Sequence, residues 1–111
     1  MTVTLRGHGQ GGPNQEYALS LAIHLGGASG VSGLAADTDG TDGGGGQADD
    51  PAGAMIDDTT VARAMGRGLD PAAFLADNDS TGFFAQLGDL LAPGPTATNV
   101  NDFRAIVVDR P

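Results

Sequence analysis

The sequence predicts an α/β fold: a single small domain with a mixed sheet flanked by helices. Its 111 residues suit one domain and not two. Strand-like apolar runs alternate with helix-like runs along the chain, which is the pattern of α/β domains. The 19 glycines fall largely between these runs, where they mark turns and helix ends. We therefore treat residues 1–111 as one domain with a modest core.

The first predicted strand and the first predicted helix flank a glycine-rich turn. Residues 2–6 alternate between polar and apolar side chains, as in a strand at a sheet edge or with one solvated face. Residues 13–25 predict a helix, because Pro13 suits its first position and Gly26 its end. Apolar side chains on most sides of this helix indicate burial between the sheet and another element.

A second strand is predicted over residues 31–36, and it ends at Asp37. The glycine- and aspartate-rich residues after it predict a long loop, and loops of this length are often functional. Residues 52–57 fit either a short helix or a strand.

Three short helices are predicted next, each by a residue that can cap its N-terminus. The expected caps are, in chain order, Asp58, Asp70, and Asp79 or Ser80. Gly68 and Gly88 are expected to end the first and the third of these helices. Leu90 and Leu91 predict a brief strand, and the β-branched run 103–108 predicts a central strand.

The composition excludes several classes of protein. Five arginines and no lysine against 14 acids give a net charge of −9, which rules out a P-loop and argues against nucleic-acid binding. The absence of cysteine excludes disulfides and thiolate metal sites. No apolar run approaches the roughly 20 residues that span a bilayer, and the polar N-terminus is unlike a signal peptide. We expect a cytoplasmic location without membrane contact. The acidic, lysine-free composition also suggests a high-salt or GC-rich source.

The glycine-rich turn is the first candidate site. Gly7, Gly9 and Gly12 spell G-x-G-x-x-G between a predicted strand and a predicted helix, and Asp37 ends the next strand as a ribose partner would. Glycines before a helix also leave backbone N–H groups open to an anion. Three interpretations remain: a dinucleotide site, a general anion site and a purely structural turn.

Two polar loops are the other candidates. Asp37, Asp39 and Asp42 follow a strand, where carboxylates can hold Mg²⁺ together with substrate phosphates. The alternative is a solvated acidic turn. Before the last predicted strand, short polar side chains suited to binding hydroxyls or phosphates crowd together, although such residues also cap turns. They are Thr96, Thr98, Asn99, Asn101 and Asp102.

Five motifs occur in a fixed order along the chain. They are Gly-x-Gly-x-Gly-Gly-Pro-Asn-Gln-Glu at 7–16, Asp-Thr-Asp-Gly-Thr-Asp-Gly at 37–43, Gly-Leu-Asp-Pro at 68–71, Asn-Asp-Ser-x-Gly-Phe-Phe at 78–84 and Gly-Pro-Thr-x-Thr-Asn-Val-Asn-Asp-Phe-Arg at 94–104. In this order they resemble the MOFRL domain, the C-terminal domain of the class II glycerate 2-kinases. The same family also carries the name hydroxypyruvate reductase.

The resemblance implies ATP-dependent phosphorylation of D-glycerate to 2-phosphoglycerate with Mg²⁺, in a cleft shared with a larger N-terminal kinase domain that this sequence lacks. Catalytic residues stay unassigned, and the metal ligands implied are Asp37, Asp39 and Asp42. The residues expected to face substrate or phosphate are Gly9, Gly11, Gly12, Asn14, Gln15, Glu16, Thr96, Thr98, Asn99 and Asn101.

The sequence departs from the family pattern at three single positions and in one stretch, residues 43–46, where four glycines replace a more varied sequence. Gln10 stands where many members have a basic residue, Pro13 where Arg is frequent, and Ala97 where Gly is usual. Without a basic residue, the glycine-rich turn by itself neutralises less of the negative charge on a phosphate. We expect no turnover from this chain by itself. The alternatives are a non-catalytic module that pairs in trans with a separate kinase half, and an NAD(P)-dependent hydroxypyruvate reductase.

Overall fold

The computed structural model describes residues 11–37, 51–91 and 102–108, and these form a small α/β domain, as the sequence predicts. The predicted strand over residues 2–6 lies outside the described residues. The elements are α1 Pro13–Leu25, β1 Val31–Asp37, β2 Gly53–Ile56, α2 Thr60–Gly66, α3 Pro71–Ala76, α4 Ser80–Leu87, β3 Leu90–Leu91 and β4 Asp102–Val108.

The described strands form one sheet in the order β3-β2-β1-β4. Every pairing among them is antiparallel, so the parallel pairs of the expected mixed sheet do not occur within this part of the chain. Residues 52–57, which fitted a helix or a strand, contribute β2. Gly53 explains this outcome, because a Cβ there would lie 2.6 Å from Ala36 Cα of the paired strand. The glycine thus permits a close strand approach that few other residues allow.

Strand β4 was expected to be central, but it stands at the end of the described strand order and pairs with β1 alone among these strands. Its apolar side chains are correspondingly open: Ile106, Val107 and Val108 all exceed half exposure. An apolar run indicates that a strand is buried somewhere, but it does not say whether neighbouring strands or another surface provide the burial.

Most helix ends fall where the sequence places them. Asp70 and Asp79 cap α3 and α4 by accepting hydrogen bonds from the N–H groups of Ala72 and Gly82. The start of α2 differs, because its N-cap is Thr59 without a side-chain cap hydrogen bond, whereas Asp58 was expected to cap. Asp57 Oδ1 accepts from Thr59 N at 2.8 Å, just before the helix. Asp58 instead accepts a hydrogen bond from Gly30 N at 3.0 Å and ties this corner to the turn before β1.

The core lies between the helices and one face of the sheet. Helix α1 packs on β1 and β2, while α3 and α4 pack against α1. Phe83 and Phe84 are fully buried and meet edge to face at 5.1 Å, a geometry that adds about 1 kcal/mol to their burial. On the sheet side the core is small, with Ala35, Ala54 and Ile56 beneath α1. None of the described helices has the length and apolarity needed to cross a bilayer.

Candidate functional site

The N-terminus of α1 forms the floor of the candidate site. Gly12 precedes the helix with an extended backbone (φ −103°, ψ −179°) and supplies no side-chain cap. Pro13 follows at the first helical position, where its missing N–H costs nothing. The positive end of a helix dipole therefore lies at the glycine turn without a side-chain oxygen from the cap residue. This arrangement suits a negatively charged group.

The side chains of the first turn point inward. Asn14, Gln15 and Glu16 are 0%, 1% and 5% exposed, although they were expected to face a ligand. Thr81 Oγ1 donates a short hydrogen bond to Gln15 Oε1, and Asn78 Nδ2 donates to Glu16 Oε1 at 3.2 Å. Buried polar groups of this kind are costly unless they are paired. The pairing therefore fixes the start of α1 against the start of α4.

We call these residues, together with Ser80, the α1–α4 polar cluster: Asn14, Gln15, Glu16, Asn78, Ser80 and Thr81. Asn78 adopts a left-handed backbone (φ 55°), which Asn tolerates better than most residues. Asn78 lies between the end of α3 and Asp79, the N-cap of α4. Asp79, one of the two caps expected for the third short helix, caps α4, and the neighbouring Asn78 reaches α1.

Gly11 packs against the same cluster so closely that there is no room for a side chain. A Cβ at Gly11 would overlap Ser80 Oγ and would lie 3.3 Å from the Ser80 backbone nitrogen. Ser80 Oγ is fully buried and has no hydrogen-bond partner among the described residues. This glycine of the turn is therefore explained by packing against α4, which supports the structural interpretation at this one position.

Arg104 supplies a positive charge beside α1, and the sequence reasoning did not select it. Its guanidinium carbon lies 4.1 Å from the centre of the Tyr17 ring, within the range of a cation–π contact. Its Nε also donates to Asn14 Oδ1 at 3.4 Å, longer than the usual value of about 2.9 Å. Arg104 ends the last recognised motif, so its place in that motif was the available signal. Its charge therefore lies beside α1, next to Asn14 and Tyr17.

The predicted metal ligands are placed only in part. Asp37 ends β1, where its N–H donates to Ala52 O at 2.8 Å, and it pairs in register with Asp102. Asp39 and Asp42 lie outside the described residues, as do Gly9, Thr96, Thr98, Asn99 and Asn101. Within the ranges that the structure describes, no three His, Cys, Asp or Glu side chains converge as a metal site would require. Of the three predicted metal ligands, Asp37 is the one that lies among the described residues.

Known proteins match the chain over almost its whole length. A D-glycerate 2-kinase from Thermotoga maritima is 47% identical over 100 residues, which are 90% of this chain and 23% of that protein. A relative from Agrobacterium vitis, provisionally named a hydroxypyruvate reductase, is 50% identical over 100 residues, covering 90% of this chain and 25% of the relative. The chain thus spans about a quarter of the length of these relatives.

The fold is shared with a solved enzyme. The crystal structure of a glycerate kinase from Thermotoga maritima superposes with a TM-score of 0.89 at 42% sequence identity, over 97% of this chain and 25% of that one. The sequence pattern of the MOFRL family matches residues 1–102. Because that match covers most of the sequence, the chain belongs to the MOFRL family.

Proposed function

We propose that this chain is the C-terminal domain of an ATP-dependent glycerate 2-kinase, which transfers a phosphoryl group from ATP to D-glycerate and forms 2-phosphoglycerate and ADP. The observation that carries this proposal is the likeness to glycerate kinases in both sequence and fold over nearly the whole chain. The domain would form one wall of a cleft, and the opposite wall would come from an N-terminal kinase domain.

The geometry at α1 supports a phosphate-facing role for this wall. Phosphoryl transfer relies mainly on positioning and on neutralising negative charge. The start of α1 presents the positive end of a helix dipole, and Arg104 adds a full charge beside it. The α1–α4 polar cluster positions the start of α1 through its hydrogen bonds, and it positions Arg104 through Asn14. Arg104 would therefore replace part of the charge that Gln10 and Pro13 do not supply.

The candidate residues divide into two roles under this proposal. Asn14, Gln15 and Glu16 are buried, so they position the turn and do not themselves contact substrate. Direct contacts to substrate or phosphate would come from Gly9, Gly11 and Gly12 of the turn and from the loop that carries Thr96, Thr98, Asn99 and Asn101. Mg²⁺, when bound, would neutralise phosphate charge, and Asp37 with Asp39 and Asp42 are its proposed ligands.

The experiment replaces the matching C-terminal quarter of the Thermotoga maritima D-glycerate 2-kinase with this chain. We expect the chimera to release ADP from ATP in the presence of Mg²⁺ and D-glycerate, and the 111-residue chain alone to release none. A folded chimera without turnover would refute the proposal. Turnover by the chain alone would show that it needs no second wall.

A matched pair of variants tests the role of Arg104 in the chimera. Arg104→Gln should lower kcat/KM by about tenfold, because a charged hydrogen-bond donor to an anion is lost. Arg67→Gln is the control, since Arg67 stands at the C-terminal end of α2 and donates a hydrogen bond to Gln86 O of α4 at 2.9 Å. Equal kinetics for the two variants would remove Arg104 from the phosphate-facing wall.

The reductase name of some relatives favours a second candidate, an NAD(P)-dependent hydroxypyruvate reductase. The fold argues against it, because dinucleotide-binding folds use a mostly parallel sheet and the described strand pairs are all antiparallel. A fluorescence titration with NADH separates the two functions. We expect no binding by the chimera, whereas saturable quenching in the micromolar range would support the reductase.

A further inference from the structure

The described helices cover one face of the described sheet and leave its other face uncovered. In an antiparallel pair, residues directly opposite each other point to the same side. Ala35 is fully buried beneath α1, so its neighbours Leu34 and Ala36 point to the opposite side. Met55 and Ala105 pair with Leu34, and Val107 pairs with Ser32, so these residues point to the same side of the sheet. We call it the open sheet face: Ser32, Leu34, Ala36, Met55, Ala105 and Val107.

The open sheet face is apolar and accessible. Met55 is 46% exposed and Val107 is 52% exposed, and Ser32 is the one polar side chain of the set. The face contains a recess of about 210 Å³. A sheet with one solvated face normally alternates apolar and polar residues. Strand β1 instead carries apolar side chains on both sides, as strands covered on both faces do.

We propose that the open sheet face is the surface on which the remaining N-terminal part of the kinase polypeptide packs. This inference rests on the proposed function for the identity of the partner. It adds that the two parts meet through the sheet, in addition to any contact around the glycine turn.

Length and charge identify this occupant. The chain matches about a quarter of its relatives, so about three-quarters of their length is available to cover the face. A second copy of the chain is the competing occupant, but it would bring two surfaces of net charge −9 together. Asp57 and Asp89 also line the recess, and the single Arg63 that pairs with both leaves one net negative charge there, which a symmetric dimer would double.

The two described methionines allow a direct test without altering the sequence. Met55 lies on the open sheet face at 46% exposure, and Met65 lies on α2 at 67% exposure. Methionine oxidation follows accessibility, so peroxide treatment with peptide mass spectrometry reports each site separately. The 111-residue chain and the chimera with the Thermotoga maritima kinase are compared at low protein concentration.

We expect oxidation of Met55 to be about tenfold slower in the chimera than in the chain alone, while Met65 reacts at similar rates in both. Equal rates for Met55 in the two proteins would overturn the inference. Protection of Met55 in the chain alone, together with a dimer in sedimentation velocity, would also overturn it by showing that a second copy is the occupant.

The kinase assay keeps this inference separate from the proposed function. A chimera that turns over but leaves Met55 reactive retains the function and loses the docking surface. A folded chimera that protects Met55 but has no turnover retains the docking surface and loses the function. Met55→Asp should lower the melting temperature of the chimera by several degrees more than Met65→Asp, because it places a charge in an apolar contact. Equal losses would contradict the proposed surface.

Discussion

Gly11 shows how a single missing side chain shapes the candidate site. We expect Gly11→Ala to destabilise the domain by about 1–3 kcal/mol, because the new methyl group would overlap Ser80 Oγ in a packed region. Urea unfolding followed by circular dichroism measures the change. Gly66→Ala is the matched control, since no atom lies within 4 Å of the new Cβ and helix propensity favours Ala. Unchanged stability in Gly11→Ala would mean that Ser80 can move away freely.

Asp57 links stability to pH. Hydrogen bonds from the Thr59 hydroxyl and the Thr59 N–H, with a smaller contribution from Arg63, hold the pKa of this carboxyl below its usual value of 3.8. A lowered pKa in the folded state stabilises the fold above the unfolded pKa, and this stabilisation is lost as the pH falls through the folded pKa.

Asp57→Asn should therefore lower the melting temperature at neutral pH, and the difference from the parent should shrink as the pH falls below about 4. Melting curves between neutral and acidic pH measure it. Asp58→Asn is a useful comparison, because the adjacent aspartate bonds to Gly30 and not to Thr59. A difference that stays constant across the pH range would show that the Asp57 charge contributes nothing.

The pairing of strands β1 and β2 depends on the close backbone approach that Gly53 allows. A Cβ at Gly53 would meet the backbone of Ala35 and lie 2.6 Å from Ala36 Cα, and a strand backbone cannot yield as a side chain can. We expect Gly53→Ala to cost more than about 3 kcal/mol, at the upper end of overpacking effects. Gly33→Ala is the graded control, because its Cβ would lie 3.1 Å from Ala105 O. Equal unfolding free energies for the two variants would contradict this account of the pairing.

Helix ends were the elements that the sequence predicted best. The positions of Pro13, Asp70 and Pro71 match the observed starts of α1 and α3, because capping and proline act through neighbouring residues. The central position expected for β4 was wrong within the described sheet, and strand β2 was left ambiguous. Strand order depends on partners distant in sequence, which local patterns do not specify.

The sequence selected residues for the candidate site, but it could not indicate the contacts that they make. The glycine turn and the first turn of α1 were selected from sequence, yet Glu16 bonds to a residue 62 positions away and Gln15 to one 66 positions away. Arg104 is 90 positions from Asn14 and was missed for the same reason. The sequence did not indicate that Asn14, Gln15 and Glu16 are buried in this chain, because a polar triplet at a helix start looks the same whether it faces solvent or a second helix.

The charge of the whole molecule predicts a response to salt. A net charge of −9 on 111 residues repels itself, and screening shortens that repulsion from about 30 Å at 0.01 M salt to about 8 Å at 0.15 M. We expect the melting temperature to rise steadily with KCl. Sucrose is the control, since it stabilises by exclusion from the surface without screening charge. A melting temperature that does not change with KCl would refute a stability limited by self-repulsion.

The α1–α4 polar cluster also has a consequence for the order of folding. Helix α1 is synthesised before α4, and the partners of its buried amide and carboxylate groups arrive 62 and 66 residues later. Contacts this far apart in sequence close slowly. A nascent chain on the ribosome must therefore hold the start of α1 undocked until residues 78–81 have emerged. The glycine turn thus takes its final position late in synthesis, when α4 becomes available to receive it.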